Sequence, residues 1–204
     1  MTIYKHTPVE VGEIVRQFIS KYVAMSDEEL AAVARVIEIR HFDKKTIVTR
    51  QGEIEAYLNM VAKGLARKYF IHPKKKEEQV IHLAKEGDFI CNLESFTSVK
   101  PSPSVIETIE PTTFLCISKQ KLDDLYLRIP KVERLGRLVI TQQFIENEHW
   151  EYNRSLYNSQ ERFIHFVNEN ADLIQRVPQK ILASYLNIKP ETFSRLKHLL
   201  RAGQ

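Results

Sequence analysis

Between Thr46 and Ile117 the chain breaks into seven short runs rich in β-branched and aromatic residues: 46–49, 57–62, 65–72, 79–83, 89–91, 104–109 and 112–117. Turn formers divide them, at Gln51-Gly52, Lys63-Gly64, 73–76, Glu86-Gly87-Asp88 and 101–103. The residue types fit a pleated, half-buried surface. So many strands at such close spacing predict a sandwich or barrel.

The flanks have a different period. From 9 to 36, Val15, Phe18, Ile19, Tyr22 and Val23, then Leu30, Val33, Val36 and Ile37, follow helical spacing, with Ser26 as an N-cap ahead of Asp27, Glu28 and Glu29. Helix returns at Lys119. From Val132 to Leu156 it runs about seven turns without proline, with Leu135, Leu138, Val139, Gln142, Ile145, His149 and Tyr152 at roughly 3-4 spacing. Pairing with a second copy of itself is the expected use of so long a stripe, and docking on the β-domain is the alternative.

A chain of 204 residues with 43% hydrophobic content can bury a core and hold a mid-sized domain plus a small one. No apolar stretch approaches the roughly 20 residues of a membrane span, and the N-terminus lacks a signal-peptide pattern, so a cytoplasmic protein with no membrane partner is expected. Cys91 and Cys116 show no paired spacing, which favours free thiols over a metal site. The charge is uneven. From Arg176 onward six cations, Arg176, Lys180, Lys189, Arg195, Lys197 and Arg201, face one acid, Glu191, while the whole chain carries only +4. A basic C-terminal region suits a polyanion, because neutralising phosphates releases counterions.

That region reads as a helix over 177–186 with Pro178 in its first turn, a tight turn at Asn187-Ile188-Lys189, and a second helix over 190–200. Phe193, Leu196, Leu199 and Leu200 share one face of the second helix, and Glu191, Thr192, Arg195 and His198 or Lys197 another. Two short helices about a tight turn, the second cationic outside, suit insertion into a major groove. The run from Gln179 to Leu196, and above all Glu191, Thr192, Ser194 and Arg195, resembles the helix-turn-helix of the cyclic-AMP receptor and fumarate-nitrate regulator (Crp/Fnr) superfamily. The resemblance implies that Glu191 and Arg195 read base edges, and that Gln179, Lys180, Lys189, Thr192, Ser194 and Lys197 lie at the DNA interface. It further implies a homodimer on double-stranded DNA that meets RNA polymerase. Pro190 stands where the family usually has an Arg, and the chain stops before the family's two-stranded wing, so a head lacking the wing is expected.

The glycine-punctuated strands, including Glu86-Gly87-Asp88-Phe89-Ile90, resemble the family's cyclic-nucleotide-binding jelly roll. The implied fold is α+β: an N-terminal β jelly roll with flanking helices over 1–127, a long dimerisation helix over 128–157 and a small all-α reading head over 158–204. The effector pocket would fall on Cys91, Asn92, Leu93, Ser102, Pro103 and Ser104. There Asn92 replaces the Glu that holds the ribose hydroxyl, and the phosphate-pairing Arg is missing. A charge-assisted Arg–phosphate bond is about twice as strong as a neutral one, so usual cyclic-AMP binding is not expected and no cofactor is assigned. Cys91 is a candidate redox-sensitive thiol. Two other readings stand beside this one: a sensor that meets a protein partner through its C-terminal helices, and a cupin-like metalloenzyme, for which His72 and His82 are isolated. No catalytic residue is identified, and a non-enzyme is expected.

Overall fold

The strand-rich stretch pairs into two antiparallel four-stranded sheets. The computed structural model describes the backbone of residues 8–74 and 76–202 and the side chains of 11–74 and 76–198. The strands are β1 (Glu38–Phe42), β2 (Ile47–Thr49), β3 (Tyr57–Lys63), β4 (Ala66–Ile71), β5 (Glu78–Ala84), β6 (Phe89–Ile90), β7 (Val105–Thr108) and β8 (Thr112–Ser118). One sheet has the order β1-β8-β3-β6 and the other β2-β7-β4-β5. This is the α+β architecture the sequence implied.

Strand periodicity sorts the first sheet's side chains between two cores. On paired strands β3 and β8, Val61, Phe114 and Cys116 face Ala66, Ala84, Ile90 and Ile106 in one cluster. Their neighbours Met60, Leu115 and Ile117 point to the opposite face and pack with helices. Those helices are α1 (Pro8–Ile19), α2 (Asp27–Val36), α4 (Lys119–Arg128) and the start of α5 (Pro130–Leu156). They contribute Val15, Ile19, Val33, Leu125, Val132 and Leu135 to that second core. Ser26 caps α2 as expected, accepting from Glu29 N while the Glu29 carboxylate accepts from Ser26 N, a reciprocal capping box.

Gly64 joins β3 to β4 at φ 104°, where an added Cβ would lie 2.5 Å from the Pro111 carbonyl oxygen. Both the dihedral and the close approach require glycine.

Two elements of this part were not read from sequence. Edge strand β1, reading Glu-Ile-Arg-His-Phe, is half-buried throughout. Its central Arg40 spans two rings, 5.1 Å from Phe42 and 4.6 Å from Tyr57, so a charge sits where alternation leads one to expect an apolar residue. Helix α3 (Leu93–Ser98) is only six residues long.

The described chain forms two compact units. One holds the residues up to 70 together with 82–142, and the other holds 71–81 together with the chain from 143 onward. Helix α5 is continuous across 142 and 143 and is not set apart as a segment of its own. In the second unit α6 (Ser159–Glu169), α7 (Ala171–Arg176), α8 (Gln179–Tyr185) and α9 (Pro190–Ala202) bury Phe163, Phe166, Leu173, Leu182, Leu186, Ile188, Phe193 and Leu196. Phe163 meets Phe193 edge to face at 5.2 Å. No helix of the described residues is long and apolar enough to cross a membrane.

Candidate nucleic-acid interface and effector segment

Helices α8 and α9 are joined by a hydrogen-bonded turn. Asn187 adopts the left-handed conformation at φ 53°, Ile188 N donates to Ala183 O at 2.9 Å, and Asn187 N donates to Ser184 O at 3.1 Å. Those two bonds, with Ile188 buried, make a Schellman C-cap, and Asn tolerates the left-handed position better than most residues. Arg162 of α6 reinforces the turn: its guanidinium donates to Leu186 O at 3.1 Å, to Asn187 O at 3.2 Å and to Tyr157 O. Sequence reasoning missed Arg162, because an arginine that caps a turn 25 positions away leaves no local signature.

The start of α8 needs a correction. Pro178 does not lie in its first turn. It is extended at φ −56°, ψ 137° and occupies the cap position, and the residues before it form the separate short helix α7.

On α9, Phe193 and Leu196 are buried, whereas Glu191, Ser194, Arg195 and His198 are exposed and Thr192 and Lys197 are half-buried. Gln179, Lys180 and Lys189 are also exposed. The side chains of Leu199 and Leu200, assigned from sequence to the buried face, lie outside the described residues. The Arg195 guanidinium comes only to 3.5 Å from Thr192 Oγ1, too long to hold it, so both Arg195 and Glu191 present their charges to solvent. The candidates therefore share one module, on the side away from its apolar core.

The effector segment is bonded to itself. Asn92 is buried and caps α3, its Oδ1 accepting from Ser95 N at 2.9 Å while its Nδ2 donates to Ser104 Oγ at 3.1 Å. Ser102 Oγ donates to Ser104 O at 2.8 Å. Asn92, Ser102 and Ser104 are thus brought together, whereas Leu93 and Pro103 are exposed. Glu94, in the first turn of α3, is exposed.

Four residues that sequence reasoning missed, Thr49, Glu55, Ser95 and Lys68, bond into this segment. The buried Glu55 carboxylate accepts from Thr49 Oγ1 at 3.0 Å and from Asn92 N at 3.3 Å, and Glu55 N donates to Ser95 Oγ at 2.9 Å. Burial raises its pKa in spite of these bonds. Lys68 donates to the Cys91 carbonyl at 3.1 Å, and burial lowers its pKa. Burial, then the Lys68 ammonium, push His82 down to about 4. Cys91 is pushed up to about 12 by burial, so it has little of the thiolate character that redox-sensitive cysteines need. Among the described residues no cluster of three or more His, Cys, Asp or Glu is placed to hold a metal.

Residues 39–128 match the cyclic nucleotide-binding domain family. The fold is similar to that of FixK2 from Bradyrhizobium japonicum, at 18% identity over 82% of this chain and 86% of that one, with a TM-score of 0.72. It is also similar to CLP, the c-di-GMP responsive global regulator of Xanthomonas campestris, at 14% identity over 87% and 93% with a TM-score of 0.70. The catabolite activator protein of Thermus thermophilus is similar at 18% identity over 88% and 85%, with a TM-score of 0.55. No curated protein matches the chain by sequence.

Proposed function

We propose that this chain, which carries a cyclic nucleotide-binding domain and has the fold of the Crp/Fnr regulators, is a homodimeric transcription regulator that reads DNA with α9. The observation that carries this reading is the pair Glu191 and Arg195, four residues apart on one helix face, exposed and opposite the buried Phe193 and Leu196. In a major groove Arg195 donates a bidentate pair to guanine O6 and N7, and Glu191 accepts from a cytosine amino group. Gln179, Lys180, Lys189, Thr192, Ser194 and Lys197 surround them with donors suited to phosphates, which fix register without specifying sequence.

Dimerisation rests on α5. Beyond Leu138 and Val139 this helix leaves Ile140, Phe144, Ile145, Tyr152 and Leu156 exposed. Ile145 and Tyr152 are one heptad apart, and a 27-residue helix is about 40 Å long. A second copy paired in parallel covers this stripe and places two α9 helices on a palindromic site. RNA polymerase is the further partner the family likeness suggests, and the cytoplasm the compartment. Usual cyclic-AMP binding is not part of the function: the Asn92, Ser102 and Ser104 side chains are engaged with one another and with neighbouring backbone, and no Arg stands among them to meet a cyclic phosphate.

The test is operator binding by Arg195→Ala. Loss of the guanine contact costs about 1–3 kcal/mol of discrimination, read as a roughly 5- to 150-fold weaker preference for the operator over a site altered at that base. An unchanged preference overturns the assignment.

A further inference from the structure

The second compact unit includes residues 71–81, the tip of the β4–β5 hairpin, in addition to the C-terminal helices. Three hydrogen bonds hold this tip to one residue of α8. Ser184 Oγ donates to Glu78 O at 2.9 Å and accepts from Val80 N at 3.0 Å, and Gln79 Nε2 donates to Ser184 O at 2.7 Å. Ser184 is the penultimate residue of α8, and its carbonyl also belongs to the Schellman turn that leads into α9. The hairpin is therefore bonded to the turn that launches the proposed recognition helix. Next to Ser184, Tyr185 stacks on Trp150 of α5 at 4.5 Å, which packs the same helix end from another element.

The hairpin's apex is cationic. It is closed by His72 N donating to Glu77 O at 2.8 Å and Lys76 N donating to His72 O at 2.9 Å, with Lys76 in the left-handed conformation. Lys74 and Lys76 are exposed, and the sequence places Lys75 between them. Glu77 and Glu78 lie behind the lysines, toward the anchored strand, so the positive charge is confined to the end. At roughly 3.3 Å per residue, Lys76 is within about 13 Å of the Val80 anchor, the scale of a major-groove width.

We propose that the β4–β5 hairpin is a DNA-contacting arm: anchored on Ser184, it brings Lys74 and Lys76 to backbone phosphates beside the half-site read by α9. This rests on the reading of α9 as a DNA-recognition helix. The arm adds affinity without sequence information, since lysine meets phosphate as a point charge.

The experiment is a salt titration of operator binding by the full chain, comparing wild type with Lys74→Ala/Lys76→Ala and with Ser184→Ala. Each phosphate contact contributes about 0.9 to the slope of log K against log salt. The double variant is therefore expected to lower the magnitude of that slope by about 2 while keeping the wild-type base preference, and Ser184→Ala, which removes the two anchoring bonds of the hydroxyl and leaves the one to the carbonyl, to lower it by a smaller amount in the same direction. A double variant with the wild-type slope, in a protein that binds its operator, overturns the arm and leaves the reading of α9 intact. A wild-type chain with no affinity for DNA at any salt overturns both.

Discussion

His82 shows how one half-buried side chain shapes the behaviour of the β-domain. The unfolded chain protonates this imidazole near its ordinary value of 6.5, whereas burial and the Lys68 ammonium hold the folded one to about 4. Between those values the unfolded state carries more protons, so stability falls as pH drops from about 6.5 toward 4. The contribution is no more than about 3 kcal/mol over that window. Urea unfolding of His82→Gln across pH 4 to 7 is expected to show a shallower loss than wild type, and parallel curves would contradict the assignment. Residue identity alone could not supply this. His82 stands out in the sequence only as an isolated histidine, and what sets its titration is burial in the folded β-domain, followed by Lys68, fourteen positions earlier on the neighbouring strand.

Among the elements, the α8–α9 turn is the most demanding piece of local structure. Its left-handed residue is Asn187 rather than glycine. Alanine there incurs the left-handed penalty, so Asn187→Ala is expected to destabilise the fold by about 1 kcal/mol, whereas Asn187→Gly should leave it unchanged or slightly more stable. Thermal unfolding of the two variants checks the order, and equal losses would show that the Asn side chain matters and not the backbone. This turn was legible at 187–189 because it lies between two amphipathic runs, and the β-domain was legible because Gly and Pro punctuate strands rich in branched residues. The elements that escaped were those without a period: β1, where Arg40 packs on two rings, and the six-residue helices α3 and α7, which are too short to display 3.6-residue spacing. The effector segment escaped in part for a related reason. Asn92, Ser102 and Ser104 could be placed by likeness to a known motif, but Glu55 reaches Asn92, and Lys68 the Cys91 carbonyl, through pairings distant in sequence.

For the whole molecule, the two proposed features set each other's geometry. In the proposed dimer a two-fold partner covers the exposed apolar stripe on α5, and two-fold symmetry would make each α9 read the same bases on opposite strands. The hairpin lysines then flank each half-site and add a salt-dependent term to both. Because the effector segment satisfies its own polar groups, the dimer's base preference is expected without cyclic AMP. The most direct measurement is selection of bound sequences from random duplex DNA by the purified 204-residue chain with no nucleotide added. A two-fold consensus with half-site centres about 34–36 Å apart, one helical turn, is the predicted result. Recovery of no consensus, or of a single unpaired half-site, would contradict a symmetric DNA-reading dimer.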